Sequence, residues 1–531
     1  MRIGIDVGGT NTDAVLMDGL QVLGKIKTPT TADVTGGITT ALGRLLGDTG
    51  LEPTRVTALM IGTTHFTNAI VERRRLQPVA ALRLGLPATA ALPPMVDWPH
   101  DLRESIGHTW RLLHGGNEFD GRVLTPFDEQ EVRQAAREVA QRGITAIAIT
   151  SVFSPVTSAC EEQAAAVVAE EIPGAAITLS NEIGRIGLLE RENATIMNAC
   201  LHDLAQRTIE AFEEAARQMG ISAPLYLTQN DGTLMSAAYA RKFPVLTFAS
   251  GPTNSMRGAA FLSGVKDGIV VDIGGTTSDV GALVHGFPRE ASVAVQVGGV
   301  RTNFRMPDVY SFGLGGGSLI AGMESDDSLA VGPQSVGYEL TQRALVFGGD
   351  TLTATDVAVA ADLAAIGDPS RVRDLDRSQV RRVTERIQTM VEQAVDQTKT
   401  SAANVPVVLV GGGSILVGRP VVGSSEMLTP EHYAAANAIG AAIAQVSGEI
   451  DRVFSLERRS RDDAMEEAKA EAVARAIAAG AAPETVAIVD AEDVPLSYLP
   501  SNATRIRIKA VGDLAISEER VSGLGSRVSE P

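Results

Sequence analysis

Cysteine is scarce in this chain. Cys160 and Cys200 are the only two among 531 residues, which argues against a disulfide framework and against a cysteine zinc site. Charged residues are also sparse, at 21% against 44% hydrophobic, a balance that describes a globular chain and not a disordered one. Positive charge is in deficit: the net charge of −18 argues against nucleic acid or an anionic membrane as the main partner. The local run Arg73-Arg74-Arg75 reads as a solvated helix face. Long apolar runs are missing, since no stretch reaches the roughly 20 residues needed to span a bilayer. A strand starts straight after Met1-Arg2, leaving no room for a signal peptide. The expectation is a cytoplasmic, soluble protein of two or three domains at this length.

What the chain does contain, it contains twice. Ile3-Gly4-Ile5-Asp6-Val7-Gly8-Gly9-Thr10-Asn11-Thr12-Asp13 opens the sequence, and Val270-Val271-Asp272-Ile273-Gly274-Gly275-Thr276-Thr277-Ser278-Asp279 returns 266 positions later, about half the chain on. Each copy reads as an apolar strand, a turn rich in glycine and hydroxyls, then a second strand. Paired glycines let backbone N–H groups approach a phosphate, and Thr or Ser hydroxyls add donors. An Asp at the strand end would repel phosphate unless a cation lay between them, so Asp6 and Asp272 imply Mg²⁺. One such turn is ordinary hairpin chemistry; the matched pair is a stronger signal because internal duplication is specific. Two such loops facing one another would clamp a polyphosphate.

A third glycine turn fits the same picture. Val380, Val383, Ile387, Met390, Val391 and Ala394 fall at helical spacing, the buried-strand run Val405 to Val410 follows, and Gly411-Gly412-Gly413-Ser414 ends it. Such a turn lets an adenosine lie against bare backbone.

Strands and helices alternate along the chain, which implies an α/β class. Residues 1–180 form one part, interrupted by an irregular excursion over 87–127. Residues 181–455 form a second, opening with a long helix from Asn193 to Met219. Residues 456–531 begin with a charged helix from Arg459 to Ala479 and end as a strand-rich cap with a frayed polar tail after Glu518. His432 is expected to start a helix running from Ala434 to Val446.

In this order, the motifs resemble the ATP-dependent A-type proteins of the hydantoinase/oxoprolinase family, in its short stand-alone branch. Besides the two hairpins and Gly411 to Ser414, they are Ile61 to Ala69, Glu190 to Thr195 with Asn198-Ala199, Gln229 to Gly232, Ser250-Gly251-Pro252, Gly313 to Ser318, and Thr353 to Asp356. The branch is marked by His114 to Arg122 and by Leu499 to Arg505. Two departures stand out: Thr253-Asn254-Ser255 replaces a glycine pair often found after Ser-Gly-Pro, and Cys160 replaces a histidine often preceding Glu161. The resemblance implies a two-lobed actin/sugar-kinase/Hsp70-like ATPase fold with duplicated phosphate-binding hairpins. It also implies ATP and Mg²⁺ as cofactors, and hydrolysis of a small cyclic amide coupled to ATP. A B-type or other partner subunit and a homo- or hetero-oligomer are the expected associations. A small-molecule kinase, or a non-catalytic nucleotide switch, uses the same hairpins.

The residues suggest roles within that chemistry. Asp6 and Asp272 would hold Mg²⁺, directly or through water; Gly8, Gly9, Thr10, Asn11, Thr12, Gly274, Gly275, Thr276, Thr277 and Ser278 would cradle phosphate; Asp13 or Asp279 would orient the nucleophile. Thr63, Thr64, His65 and Asn68 follow a strand where α/β folds bind ligands, and with Gly315, Gly316 and Gly317 they are expected to surround a substrate ring. His114, Glu118 and Asp120 carry donor types suited to a metal at irregular spacing.

Overall fold

The computed structural model describes residues 1–9, 11–30, 34–291, 294–457, 459–497 and 502–515. Thr10, Leu499-Pro500-Ser501 and the tail after Glu518 lie outside them. The described chain separates into two compact units, Met1–Gly232 with Ser236–Ile443, and Thr233–Met235 with Ala444 onward. Residue 180 therefore lies inside the first unit.

Among the described residues the first unit holds three larger sheets, besides two two-stranded pairs. Strands Leu225–Thr228, Ala58–Thr63, Arg2–Val7, Asn11–Asp18 and Gln21–Pro29 are neighbours in that order. A second sheet orders Phe287–Pro288, Ser278–Val284, Gly268–Ile273, Val405–Val410 and Ser424–Leu428, with Val309–Phe312 also on Ser278–Val284. The duplication read from the sequence is a duplication of register. Asp6 pairs across to Asp13 and Asp272 to Asp279, while Arg2–Val7 and Gly268–Ile273 each take a parallel strand on the other side. Both turns close with the same bond, Gly8 N–H to Asn11 O at 3.1 Å and Gly274 N–H to Thr277 O at 2.9 Å.

The third sheet is parallel throughout: Thr109–His114, Val79–Leu86, Ala146–Ser151 and Ala176–Leu179. The excursion expected to be irregular thus supplies helix His100–Ile106 and strand Thr109–His114. That strand is at the sheet edge and only two of its residues are buried, so it carries no buried run to announce it. Helix Glu129–Gln141 starts at Asp128, which caps the Gln130 and Glu131 N–H groups.

Two expectations about helices are corrected. The stretch from Asn193 to Met219 is two helices, Leu188–Cys200 and His202–Gln218, separated at Leu201. Leu201 N–H bonds Asn198 O at 3.1 Å, a tightened turn that ends the first helix, buried from Arg191 to Cys200, before the amphipathic second. The helix expected from Ala434 to Val446 is a short turn, Tyr433–Ala435, then Ala436–Ala442. From Gln445 the burial alternates residue by residue, and Gln445–Phe454 is a strand of the second unit.

Helices Ser250–Ser263 and Ala436–Ala442 cross where both are glycine. A Cβ on Gly258 would lie 1.9 Å from Ala436 O, and one on Gly440 would lie 1.9 Å from Asn254 O, so the two backbones touch directly. Ala436–Ala442 packs on the first sheet and Ser250–Ser263 on the second. The crossing therefore fixes where Asn254, Ser255 and Asn437 emerge.

The second unit is an antiparallel set, Gln445–Phe454, Thr504–Gly512 and Ala487–Pro495, with residues 233 and 234 parallel to Gln445 and Val446. Helix Arg461–Ala478 lays Ala464, Ala468, Ala472 and Ala476 against it, every fourth residue buried. Among the described residues no helix is long and apolar enough to cross a membrane.

Candidate functional site

A cleft of about 600 Å³ opens between the first two sheets of the first unit. Both hairpin turns and the third glycine turn reach it: Gly8, Gly9, Asn11, Gly274, Gly275, Thr276, Thr277, Gly411, Gly412 and Gly413 all line its wall. Asp6, Asp13 and Asp272 line it too. Gly411 has φ +82, and a Cβ there would lie 2.1 Å from Asp272 Oδ1. The turn is thus fitted directly against the second hairpin, which only glycine permits.

Other expected phosphate donors turn elsewhere. Thr12 is buried with its hydroxyl 3.3 Å from that of Thr30. Ser278 donates to Leu314 O at 2.7 Å, and Ser414 to Val410 O at 2.5 Å and Gly411 O at 2.9 Å. These hydroxyls fasten the turns from behind.

The carboxylates are held together and held high. Asp6 and Asp13 are buried, and the amide of Asn437 donates to both, at 2.9 Å to Asp6 Oδ2 and 3.3 Å to Asp13 Oδ2. Lys27 lies 3.0 Å from Asp13 Oδ1 and donates to Ala434 O at 3.4 Å. Burial, then the charges of Asp13 and Asp272, push Asp6 up to about 7 against the pull of Asn437 and Asn254. Asp13 is raised by burial and opposed by Lys27 and Asn437. Asp272 is raised by burial and opposed first by a hydrogen bond from Ser255 and then by Lys27. Asp279, opposite Asp272, is not among the described lining residues; burial pushes it up to about 6 although Ser311 donates to it.

Three carboxylates beside one ammonium leave an excess of negative charge that a cation would relieve. Asp6 Oδ1 is a buried oxygen with no hydrogen-bond partner, so the residues present fit a hard cation. Among the described residues no cluster of three His, Cys, Asp or Glu could hold a metal alone, which suits Mg²⁺, usually bound by one or two carboxylates with water and phosphate. His114, Glu118 and Asp120 make no such cluster: His114 pairs with Glu131 at 3.1 Å and Asp120 with Arg122 at 2.6 Å.

The expected substrate residues divide. Thr64 and Asn68 line the cleft. Thr63 is buried, its hydroxyl 2.7 Å from His65 Nδ1 and its main chain bonded to Ser250 at 3.2 and 3.0 Å. Burial, then Arg75, lowers His65 to about 4 and keeps it neutral. Gly316 lines the cleft, but Gly315 and Gly317 are buried against the second hairpin, where a Cβ on Gly315 would lie 2.4 Å from Thr276 N. Gly316 and Gly317 N–H bond Gly274 O and Gly275 O at 3.0 and 2.8 Å. The room those glycines leave is occupied by the hairpin backbone.

Sequence reasoning missed Lys27, Asn254, Ser255 and Asn437. Asn437 had a signal, as the one polar residue from Ala434 to Ala442. Asn254 and Ser255 stand where the resemblance expects glycines, and they meet Thr228 at 3.0 Å and Asp272.

Comparison with known proteins agrees with this architecture. Residues 2–172 match the hydantoinase/oxoprolinase N-terminal region, and residues 191–365 match hydantoinase/oxoprolinase. The caprolactamase alpha subunit of Pseudomonas jessenii is 28% identical over 400 residues, covering 70% of this chain and 56% of that protein. The acetophenone carboxylase gamma subunit of Aromatoleum aromaticum is 27% identical, covering 67% and 52%. The chain thus spans about half the length of these relatives. The crystal structure of ATP-dependent caprolactamase from Pseudomonas jessenii superposes with a TM-score of 0.77 at 20% identity, over 97% of this chain and 88% of that one, a likeness of fold. On these matches and the duplicated hairpins together, the chain belongs to the hydantoinase/oxoprolinase family.

Proposed function

We propose that the cleft binds Mg²⁺-ATP and directs its terminal phosphoryl group to the carbonyl oxygen of a small cyclic amide, which is then hydrolysed, as one subunit of a larger enzyme. The observation that carries this is the pair of hairpins in identical register, facing one cleft with Asp6 and Asp13 on one side and Asp272 on the other. Family relatives named as ATP-dependent caprolactamase and as subunits of carboxylases support ATP use and a partner.

An amide is a poor electrophile because its nitrogen donates into the carbonyl. ATP would supply the phosphoryl group that activates the carbonyl; water then adds to the carbon, the ring C–N bond breaks as the nitrogen leaves protonated, and a second water hydrolyses the resulting acyl phosphate to the ring-opened acid and free phosphate. The same first step would activate a ketone, which accounts for carboxylase relatives. Phosphoryl transfer asks the protein for position and charge neutralisation. With the Gly8 and Gly274 N–H groups spent on closing the turns, the backbone N–H groups of Gly9 and Gly275 would bind phosphate oxygens, and Asp6 and Asp272 would hold Mg²⁺. Leu340, Phe347, Ile366 and Ile415 give the cleft lining apolar surface that would suit a purine. Thr64 and Asn68 would offer neutral polar partners to the ring. The cations that a carboxylated ring would need are engaged with acids: Arg301 with Glu190 at 3.4 Å and Arg305 with Glu290 at 3.0 Å.

The test is ATP hydrolysis measured against hydantoins, lactams and cyclic imides, with and without the partner subunit. Free phosphate with a ring-opened acid is expected. A stable phosphorylated metabolite would identify a kinase instead, and ATP binding without turnover under every condition would identify a nucleotide switch.

A further inference from the structure

The two hairpins are equal in their acids and unequal in what stands next to them. Asp6, Asp13 and Lys27 lie directly opposite one another on three adjacent strands, so their side chains share one face of the sheet. In the second sheet the matching row is Asp272, Asp279 and Ser311. The third position is thus an ammonium in one copy and a short hydroxyl in the other. Lys27 lines the cleft, and among the described lining residues it is the one Lys or Arg. Its side chain is 44% exposed while Asp13 beside it is buried. An ammonium has three donors; Asp13 and Ala434 O account for two groups of contacts.

The direction in which a nucleotide would lie follows from the third glycine turn. Gly411 and Gly413 are built against Ile273 and Gly274, with a Cβ on Gly413 only 2.5 Å from Ile273 Cγ2. A nucleotide whose sugar rests on that turn meets the second hairpin with its inner phosphates. Its outermost phosphate then extends across the cleft to the first hairpin, where Lys27 stands. That phosphate is repelled by Asp6, Asp13 and Asp272, and Lys27 is the cationic side chain on its side of the wall.

We propose that Lys27 grips the terminal phosphate of the nucleotide, making the first hairpin the phosphoryl-transfer end of the cleft and the second hairpin the end that retains the diphosphate. This rests on the nucleotide reading given above. It predicts that Lys27 separates ATP from ADP, which a residue serving only to neutralise Asp13 would not do.

Titration calorimetry of the full chain, with Mg²⁺ and either a non-hydrolysable ATP analogue or ADP, tests the assignment. The proteins are wild type, Lys27→Met, Asp13→Asn and the double variant. Loss of a charge-assisted contact to phosphate should weaken the ATP analogue roughly 10- to 100-fold in Lys27→Met, with ADP within about twofold of wild type by the same reasoning. ADP binding also reports that the variant is folded. The selective loss should persist when Lys27→Met is made in the Asp13→Asn background. Equal weakening of both nucleotides, wild-type affinity for both, or disappearance of the loss in that background would each overturn the assignment. Failure of the wild type to bind either nucleotide overturns the nucleotide reading itself, and Lys27's role with it.

Discussion

Replacing Asp6 by Asn should make the protein more stable and inactive together, and the stability gain should depend on pH. Burial, then the charges of Asp13 and Asp272, push the Asp6 carboxyl from its ordinary 3.8 up to about 7 in the folded protein. Between those values the folded state binds more protons than the unfolded one, so stability falls as pH rises from about 4 to about 7. The full cost of ionising the buried carboxylate beside Asp13 and Asp272 has a ceiling of ~4 kcal/mol above pH 7. At pH 5 only about a third of that has been incurred. Asn keeps an oxygen for the Asn437 amide that now meets Asp6 Oδ2 at 2.9 Å, so little bonding is lost. The expected gain is ~1–3 kcal/mol at pH 8 and below ~1 kcal/mol at pH 5, on the usual discount for relaxation around a buried group. For a chain this long the unfolding entropy makes that roughly 1–3 °C in Tm at pH 8. Differential scanning calorimetry at both pH values, without divalent cations, reads it. Adding Mg²⁺ with a non-hydrolysable ATP analogue should raise Tm of the wild type at pH 8 more than that of Asp6→Asn, since binding to the native state stabilises it. A variant that is less stable than wild type by the same amount at both pH values would refute the claim that the acid cluster stores this charge.

Asp272→Asn should abolish ATP turnover while leaving the fold intact by circular dichroism, because it removes a cation-facing charge at constant volume; unchanged ATPase activity would remove Asp272 from the site. Asn68→Ala should raise KM for a neutral ring several-fold, an effect of one hydrogen bond. His65→Ala should act mainly through stability, because His65 is bonded to Thr63 and faces away from the cleft lining; the reverse pattern in steady-state kinetics would return His65 to the substrate wall. Gly440→Val should cost more than ~3 kcal/mol in urea unfolding, since its side chain would begin 1.9 Å from Asn254 O where no rotamer relieves the overlap. A smaller loss would show that the helix crossing yields.

The duplicated hairpins proposed to bind phosphate were legible in the sequence because their pattern is local. A strand, an acid, two glycines and a hydroxylated turn occupy one short segment, and the copy 266 positions later identifies itself by the same letters. The turn from Gly411 was legible for the same reason, as was helix Glu129–Gln141, whose buried positions Val132, Ala135, Ala136 and Val139 show its period directly. The family followed from the order of these segments.

The tertiary structure alone decided what surrounds the acids. Asn437 meets Asp6 across 431 positions of sequence, and nothing near either residue announces the other. Their meeting depends on Gly4 letting helix Ala436–Ala442 lie on strand Arg2–Val7, where a Cβ would stand 2.2 Å from Ala438 O, a close approach that reads in the sequence only as a glycine in a strand. Lys27 reaches the cleft because Gln21–Pro29 takes the register that sets it opposite Asp13; one residue of slip would turn it to the other face. Glycines 315 and 317 read as space for a ligand, and packing filled that space with the backbone of the second hairpin. Local pattern therefore marked the two hairpins and the third glycine turn, whereas long-range packing set the charge of their acids, their neighbours and which residues face the cleft.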